Sequence, residues 1–256
     1  MSKALLTDPW FYLASVPAVL LYGISKGGFG GSISIISVPM MALMMPPTQA
    51  AAILLPILVV MDALVVKTYW GVFDKQALYL LLPGALVGIG IGYLTAEAMN
   101  EHYMRILIGV LSLLFGVQSL FGMKSFASAQ HNSVSGSLFG ALAGFTSFSI
   151  HAGGPSFTMY LMPKQFSPLL FAGTAGIFFA VVNVVKLLPY YTLGQFTADN
   201  LLYSLVLVPL APLGVKVGHV LVRRSTMGFY YWVTSVCLVL VGAKLLWDGV
   251  SALIVV

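Results

Sequence analysis

The chain has 256 residues, of which 59% are hydrophobic and 7% charged, with a net charge of +5 and a mean hydropathy of +0.99. A soluble domain carries about 25% charged residues to cover its surface, so this composition leaves no room for one. The apolar runs are unbroken rather than alternating, which makes the spanning elements helices and not barrel strands.

The excess of Lys and Arg fits cytoplasmic loops beside anionic lipid, or a protein that handles anions. Beyond Arg223-Arg224 no dense basic run occurs, so no nucleic acid partner is expected. A single cysteine, Cys237, excludes an internal disulfide and a Cys-based metal cluster. No cofactor or metal is expected.

From the N-terminus, Lys3 and then Asp8-Pro9 precede the first apolar run, and no small-residue cleavage pattern follows it, so a retained first helix is expected. Runs follow at about 10–25, 30–45, 48–67, 77–96 and 103–122. A polar break, Lys124 to Gly136, separates them from runs at about 134–150, 154–163, 168–191, 199–222 and 226–247. The division is a first transmembrane repeat over 1–123, a linker over 124–136 and a second repeat over 137–256.

The first two runs are interrupted by "GISKGGFGGS", Gly23 to Ser32. Gly23, Gly27 and Gly31 have the spacing that lets membrane helices approach closely. Gly27, Gly28, Gly30 and Gly31 are also more glycine than one packing face requires, and fit a backbone turn before a half-helix starting near Gly31-Ser32. Such a helix start binds anions. Ser32 and Ser34 would add hydroxyls, and Lys26 either a charge at the site or a contact with the membrane surface. In the third run Asp62 is an acid at membrane depth, read as functional or as a structural partner for Lys67 or a backbone group.

In the second half, "FTSFSIHAGGPSF" (Phe145 to Phe157) again joins glycines to a helix start. Gly153 and Gly154 precede Pro155, which suits a first helical turn. Thr146, Ser147, Ser149 and Ser156 supply hydroxyls, and His151 is a donor to an anion, a proton carrier or a structural residue. Asn183 and Lys186 lie one turn apart in the next run and share a helix face, with Lys186 either lining a cavity or snorkelling.

The halves echo each other. One offset carries Gly27-Gly28 onto Gly153-Gly154, Pro83 onto Pro209, Gly88 onto Gly214 and Gly92 onto Gly218, while a slightly shorter one carries Pro47 onto Pro168 and Asp62 onto Asn183. Trp10 to Ser25 would span roughly 24 Å against a hydrocarbon core of about 30 Å. Short, glycine-interrupted segments at matching places in two halves point to a transporter's binding site. The expected fold is an all-α polytopic integral membrane protein, with about eight transmembrane helices and two broken or re-entrant elements. The Lys/Arg distribution favours inverted halves.

"GISKGGFGG" with "SVPMMALMMPP", "LLPGALVGIGIGYL", "GFTSFSIHAGGP", "FFAVVNVVKLLPYY" and "LVPLAPLGVKVG" occur in this order over about residues 15–248. With them the chain resembles the sulfite exporter TauE/SafE family of membrane permeases. The resemblance implies a multi-pass protein of the bacterial inner membrane, built from a duplicated unit, that moves sulfite or organosulfonates by secondary transport. It agrees with a site made of Lys26, Gly27, Gly28, Gly30, Gly31 and Ser32 facing Ser149, His151, Gly153, Gly154, Pro155 and Ser156. Asn183 and Lys186 would line the cavity, and Asp62 or His151 would carry a coupling proton. The partners expected are a small anionic substrate, the lipid bilayer and a second copy of the chain. The rival readings are a membrane scaffold or assembly partner, and an uncoupled anion channel; no enzymatic motif is present.

Overall fold

The computed structural model describes residues 7–31, 34, 37–42, 44–96, 101–121 and 132–254. Among these the chain is helical, without strands: α1 (Pro9–Gly28), α2 (Ser37–Met41), α3 (Pro47–Tyr69), α4 (Lys75–Leu94), α5 (Glu101–Leu120), α6 (Ser133–Ile150), α7 (Gly153–Leu161), α8 (Pro168–Thr192), α9 (Ala198–Leu207), α10 (Leu210–Arg224) and α11 (Met227–Ile254). A 3-10 turn, Met162–Lys164, follows α7.

Local chemistry sets the helix starts. The carboxylate of Asp8 accepts the Trp10 N–H at 2.9 Å, and Asp74 accepts that of Ala77 at 2.6 Å. Asn132 and Ser167 do the same for α6 and α8, and Pro9, Pro47 and Pro168 occupy first-turn positions where no N–H is needed. Residues 124–131 of the expected linker fall outside the described segments, and Ser133 to Gly136 form the first turn of α6.

Among the described residues five helices, α3, α4, α6, α8 and α11, are long and apolar enough to cross a membrane. The expected run at 199–222 is not one straight helix: α9 and α10 meet at 48°. Pro209 lies at the break, where its ring and missing N–H prevent the backbone ladder from continuing. Counted as one bent span, the pair makes a sixth. The outward faces carry Trp10, Leu13, Tyr79, Leu205, Leu240 and Trp247, all more than half exposed, which is a surface for lipid rather than water. The protein is a helical membrane protein.

Helices pack through glycine. A Cβ on Gly84 would lie 2.0 Å from the Ser137 carbonyl and one on Gly88 2.0 Å from that of Ala141, so α4 and α6 run parallel with touching backbones. Gly23 and Gly27 meet Gly214 and Val215 in the same way, joining α1 to α10. In lipid, tails are as apolar as leucine, and close approach of this kind supplies the attraction. α5 and α11 pack antiparallel, Gly109 against Leu246 and Gly116 against Val239.

The centre is the antiparallel pair α3 and α8, 61% buried along its apolar window against 39–44% for the other three long helices. One end of this pair is marked by Ala51 and the other by Tyr69. Lys67, Lys75, Lys164, Arg223 and Arg224 flank the turns at the Tyr69 end. Lys26, expected either at the site or at the membrane surface, is inside the bundle, 5% exposed.

The glycine contacts can be tested singly. Gly88→Ala is expected to lower stability by about 1–3 kcal/mol through overpacking against Ala141. Gly90→Ala, on the same helix with nothing within 4 Å, should leave it unchanged. Thermal unfolding of the two variants in detergent reads the difference.

Candidate functional site

The chain breaks its helices twice in the interior, and each break has to satisfy the backbone groups it frees. At the first, the Phe29 N–H returns to the Ser25 carbonyl at 2.7 Å, and Gly30 and Gly31 then take φ of 60° and 81°. A side chain there would be strained, and a Cβ on Gly30 would also strike the Phe171 ring at 2.5 Å. The carbonyls left at the end of α1 accept from tyrosines on other helices: Gly27 from Tyr69 at 2.5 Å and Gly28 from Tyr230 at 3.0 Å. Tyr69 is itself bonded to His219 Nδ1 at 3.0 Å. Ser34 closes the turn, donating through its hydroxyl to the Gly31 carbonyl at 2.7 Å. Beyond it Ser37 donates to the Ala18 carbonyl at 2.8 Å, so the chain doubles back along α1.

At the second break His151 ends α6 in the left-handed region, φ 54°, with its N–H on the Ser147 carbonyl at 3.2 Å. Tyr22 of α1 donates to the His151 carbonyl at 3.2 Å. α7 then starts at Gly153 with no side-chain cap, and returns along α6 until Tyr160 lies beside Gly136. The breaks meet: a Cβ on Gly31 would be 3.5 Å from the Cα of Gly154.

Two linked charge clusters occupy the junction. In the first, Lys26 of α1 forms a salt bridge with Asp62 Oδ1 of α3, and Asn183 Nδ2 of α8 donates to Asp62 Oδ2 at 2.7 Å. In the second, Lys186 Nζ of α8 faces the Ser147 carbonyl at 2.8 Å, the Ser147 hydroxyl at 3.1 Å and His151 Nδ1 at 2.8 Å. Those are three acceptors for the three hydrogens of an ammonium. His151 Nε2 lies 2.9 Å from the Ala51 carbonyl, which can only accept. The imidazole is therefore the Nε2–H tautomer, and its Nδ1 accepts from Lys186. Tyr190 stacks on the ring at 6.0 Å and donates to the Phe148 carbonyl at 2.8 Å.

Two narrow voids flank Lys26. Tyr22, Gly31, Ser34, His151, Gly154 and Phe179 surround the first with Lys26, and Gly30, Asp62, Ala175 and Gly176 border the second. Neither holds more than about one water molecule, so the site is closed. On the Ala51 side a wider polar hollow is lined by Thr48, Gln49, Gln195, Thr197, Asp199 and Asn200. On the Tyr69 side the rings of Phe29, Phe157, Phe171, Phe178 and Tyr230 pack together at centroid distances of 4.9–6.0 Å.

Of the residues expected at the site, Lys26, Gly30, Gly31, Asp62, His151 and Gly154 border the voids, with Asn183 and Lys186 bonded directly to them. Gly27 and Gly28 face away, against the Val215 and Gly218 carbonyls at 2.3 and 2.4 Å from a notional Cβ, and their role is packing. Gly153 packs on the Ala143 carbonyl, Ser149 bonds back to Phe145 on a partly exposed face, and Pro155 and Ser156 are buried in the first turn of α7. Ser32 and most of the expected half-helix start lie outside the described residues, and the described helix after the break begins at Ser37. Lys67 is exposed, so the partner of Asp62 is Lys26 and not Lys67. Tyr22, Tyr69 and Phe179 carry no sequence signal of their own, since tyrosine in a membrane chain is also common at the bilayer interface.

The ion pair gives a direct test. Lys26→Met leaves a buried carboxylate without its ion-pair partner, hydrogen-bonded to Asn183, and is expected to cost about 3–5 kcal/mol. Lys26→Met combined with Asp62→Asn removes both charges and should recover most of that loss in a double-mutant cycle of thermal stability.

No curated protein and no solved structure matches the chain. A family model described as "Sulfite exporter TauE/SafE" matches residues 15–245, nearly the whole length. Together with the membrane-spanning helices and the buried site between two glycine breaks, that match places the protein in the TauE/SafE sulfite exporter family.

Proposed function

We propose that the protein is a secondary transporter that moves a small oxyanion of sulfur, sulfite or an organosulfonate, across a bacterial inner membrane by alternating access. The observation that carries this reading is the charge count at the junction: two buried lysines, Lys26 on Asp62 and Lys186 on Ser147 and His151, stand against one buried carboxylate, beside the uncapped start of α7. A cavity with surplus positive charge and free backbone donors favours an anion. The family description supports sulfite as the type of cargo.

The reading takes eight spans: α1, α3, α4, α5, α6, α8, the bent pair α9–α10, and α11. α2 and α7 are the return legs of two hairpins. The first hairpin opens toward the Ala51 end and the second toward the Tyr69 end, which supports two halves inverted relative to each other. The five basic residues at the Tyr69 end support its assignment to the cytoplasm. The barrier on that side is the thick aromatic cluster, whereas on the other side the His151–Ala51 bond separates the polar hollow from the charges. The closed site thus lies nearer to opening outward, and the aromatic cluster is what must part to open inward.

Counterflow in liposomes with labelled sulfite, alkanesulfonates, sulfate and carboxylates tests the reading. Lys186→Met and His151→Ala are each expected to cut flux at least about tenfold, the loss of one charge-assisted hydrogen bond being about 1.5–3 kcal/mol. Unchanged flux in both variants removes the site from the pathway, and no flux of any anion in the wild type removes the transport reading in favour of a scaffold. Conduction that is indifferent to imposed gradients other than the anion's own would make it a channel.

A further inference from the structure

The two buried lysines are not equivalent. Lys186 has three acceptors for its three hydrogens, and one of them fixes the His151 tautomer. Among the described residues Lys26 makes one hydrogen bond, to Asp62; its ammonium otherwise meets only the Tyr22 and Phe179 rings, at 6.0 and 5.9 Å from their centroids, and borders the void between Gly31 and Gly154. Lys186 is satisfied without a ligand, whereas Lys26 is satisfied only in part. The void beside Lys26 has no room for an anion, and the Asp62 carboxylate holds the ammonium.

We propose that Asp62 is the stand-in for the transported anion. In the empty site its Oδ1 holds Lys26; an arriving oxyanion takes Lys26 over, while Oδ2 stays on Asn183 so that the side chain swings without losing its anchor. This inference rests on the transporter reading above and deepens it. Charge then decides what is carried. Asp62 is bonded to Lys26 of α1 and Asn183 of α8; Tyr22 of α1 and Lys186 of α8 interact with it electrostatically, and the uncharged His151 at the second break is bonded to Lys186. With both lysines charged the site sums to one positive charge. A monoanion makes it neutral. A dianion leaves one negative charge buried in a low-dielectric interior, a costly state that one proton on Asp62 removes. The site therefore carries a monoanion alone, or a dianion together with one proton taken up by the Asp62 carboxylate on one side and released on the other.

The test uses two probes whose charge does not change with pH, methanesulfonate and methanedisulfonate, in liposomes that contain the full-length protein and a trapped pH indicator. The wild type should move methanesulfonate without proton movement and methanedisulfonate with one proton per anion, the latter slowing as pH rises on the uptake side. Asp62→Asn leaves two positive charges, so the disulfonate should move without protons and independently of pH, while methanesulfonate flux should fall about tenfold or more. Wild-type disulfonate flux without protons, or exclusion of the disulfonate at every pH, overturns the proposal. So does a proton that persists in Asp62→Asn. The wild-type comparison needs no variant and stands even if Asp62→Asn fails to fold. Absence of flux for both probes and for sulfite is a different result, the failure of the transporter reading itself.

Discussion

Asp62 is where three helices are tied together inside an apolar bundle, and that tie constrains everything around it. A carboxylate 3% exposed in such a medium persists only if it is paired and hydrogen-bonded. Lys26 supplies the pairing from α1 and Asn183 the hydrogen bond from α8. For Lys26 to reach it, α1 must come down beside α3 as far as the level of Asp62, and α10 must lie close behind α1. Glycine at 23, 27, 214 and 218 permits that approach, since any Cβ there would meet backbone at 2.3–2.8 Å. The packing glycines and the buried charge are parts of one arrangement.

A second constraint is the backbone itself. Each break exposes carbonyls that lipid cannot solvate. Four tyrosines on four helices answer this: Tyr22, Tyr69, Tyr190 and Tyr230 donate to His151, Gly27, Phe148 and Gly28. Because each donor sits on a different helix from the carbonyl it satisfies, the breaks are stable only in the assembled bundle. A tyrosine hydroxyl that donates can still accept, and with its hydrogen on Gly27 Tyr69 accepts from His219 Nδ1.

Much of the candidate site was legible in the sequence because the signals are of the costly kind. Glycine runs, an acid, a histidine and a lysine at membrane depth all need a reason to be there, and the structure gathers Asp62, His151, Asn183 and Lys186 at one junction. What could not be read was pairing across space. Lys67 is close to Asp62 in sequence, but five residues along a helix is about 140° round its axis, so the two point to different faces. The spacing of Gly23, Gly27 and Gly31 carried two meanings, and the structure divides them: the first two pack on α10, and the third takes the left-handed turn at the site. The bend at Pro209 was hidden in an apolar run long enough to cross straight, because hydropathy registers composition and not the missing N–H.

The asymmetry between the two lysines also says how binding can be linked to motion. A ligand shifts a conformational equilibrium only by the difference between its interactions in the two states. In the proposed cycle an anion near Lys26 would compete with Asp62 for the same ammonium in the closed state, and would gain little until the salt bridge is broken. Breaking that bridge removes the charged tie between the tip of α1 and the α3–α8 pair, while Lys186 goes on holding the second break to α8 through Ser147 and His151. In the proposed cycle the anion therefore loosens one hairpin and leaves the other anchored. Relative movement of the two halves is then a consequence of where the carboxylate was placed, and it requires no separate trigger.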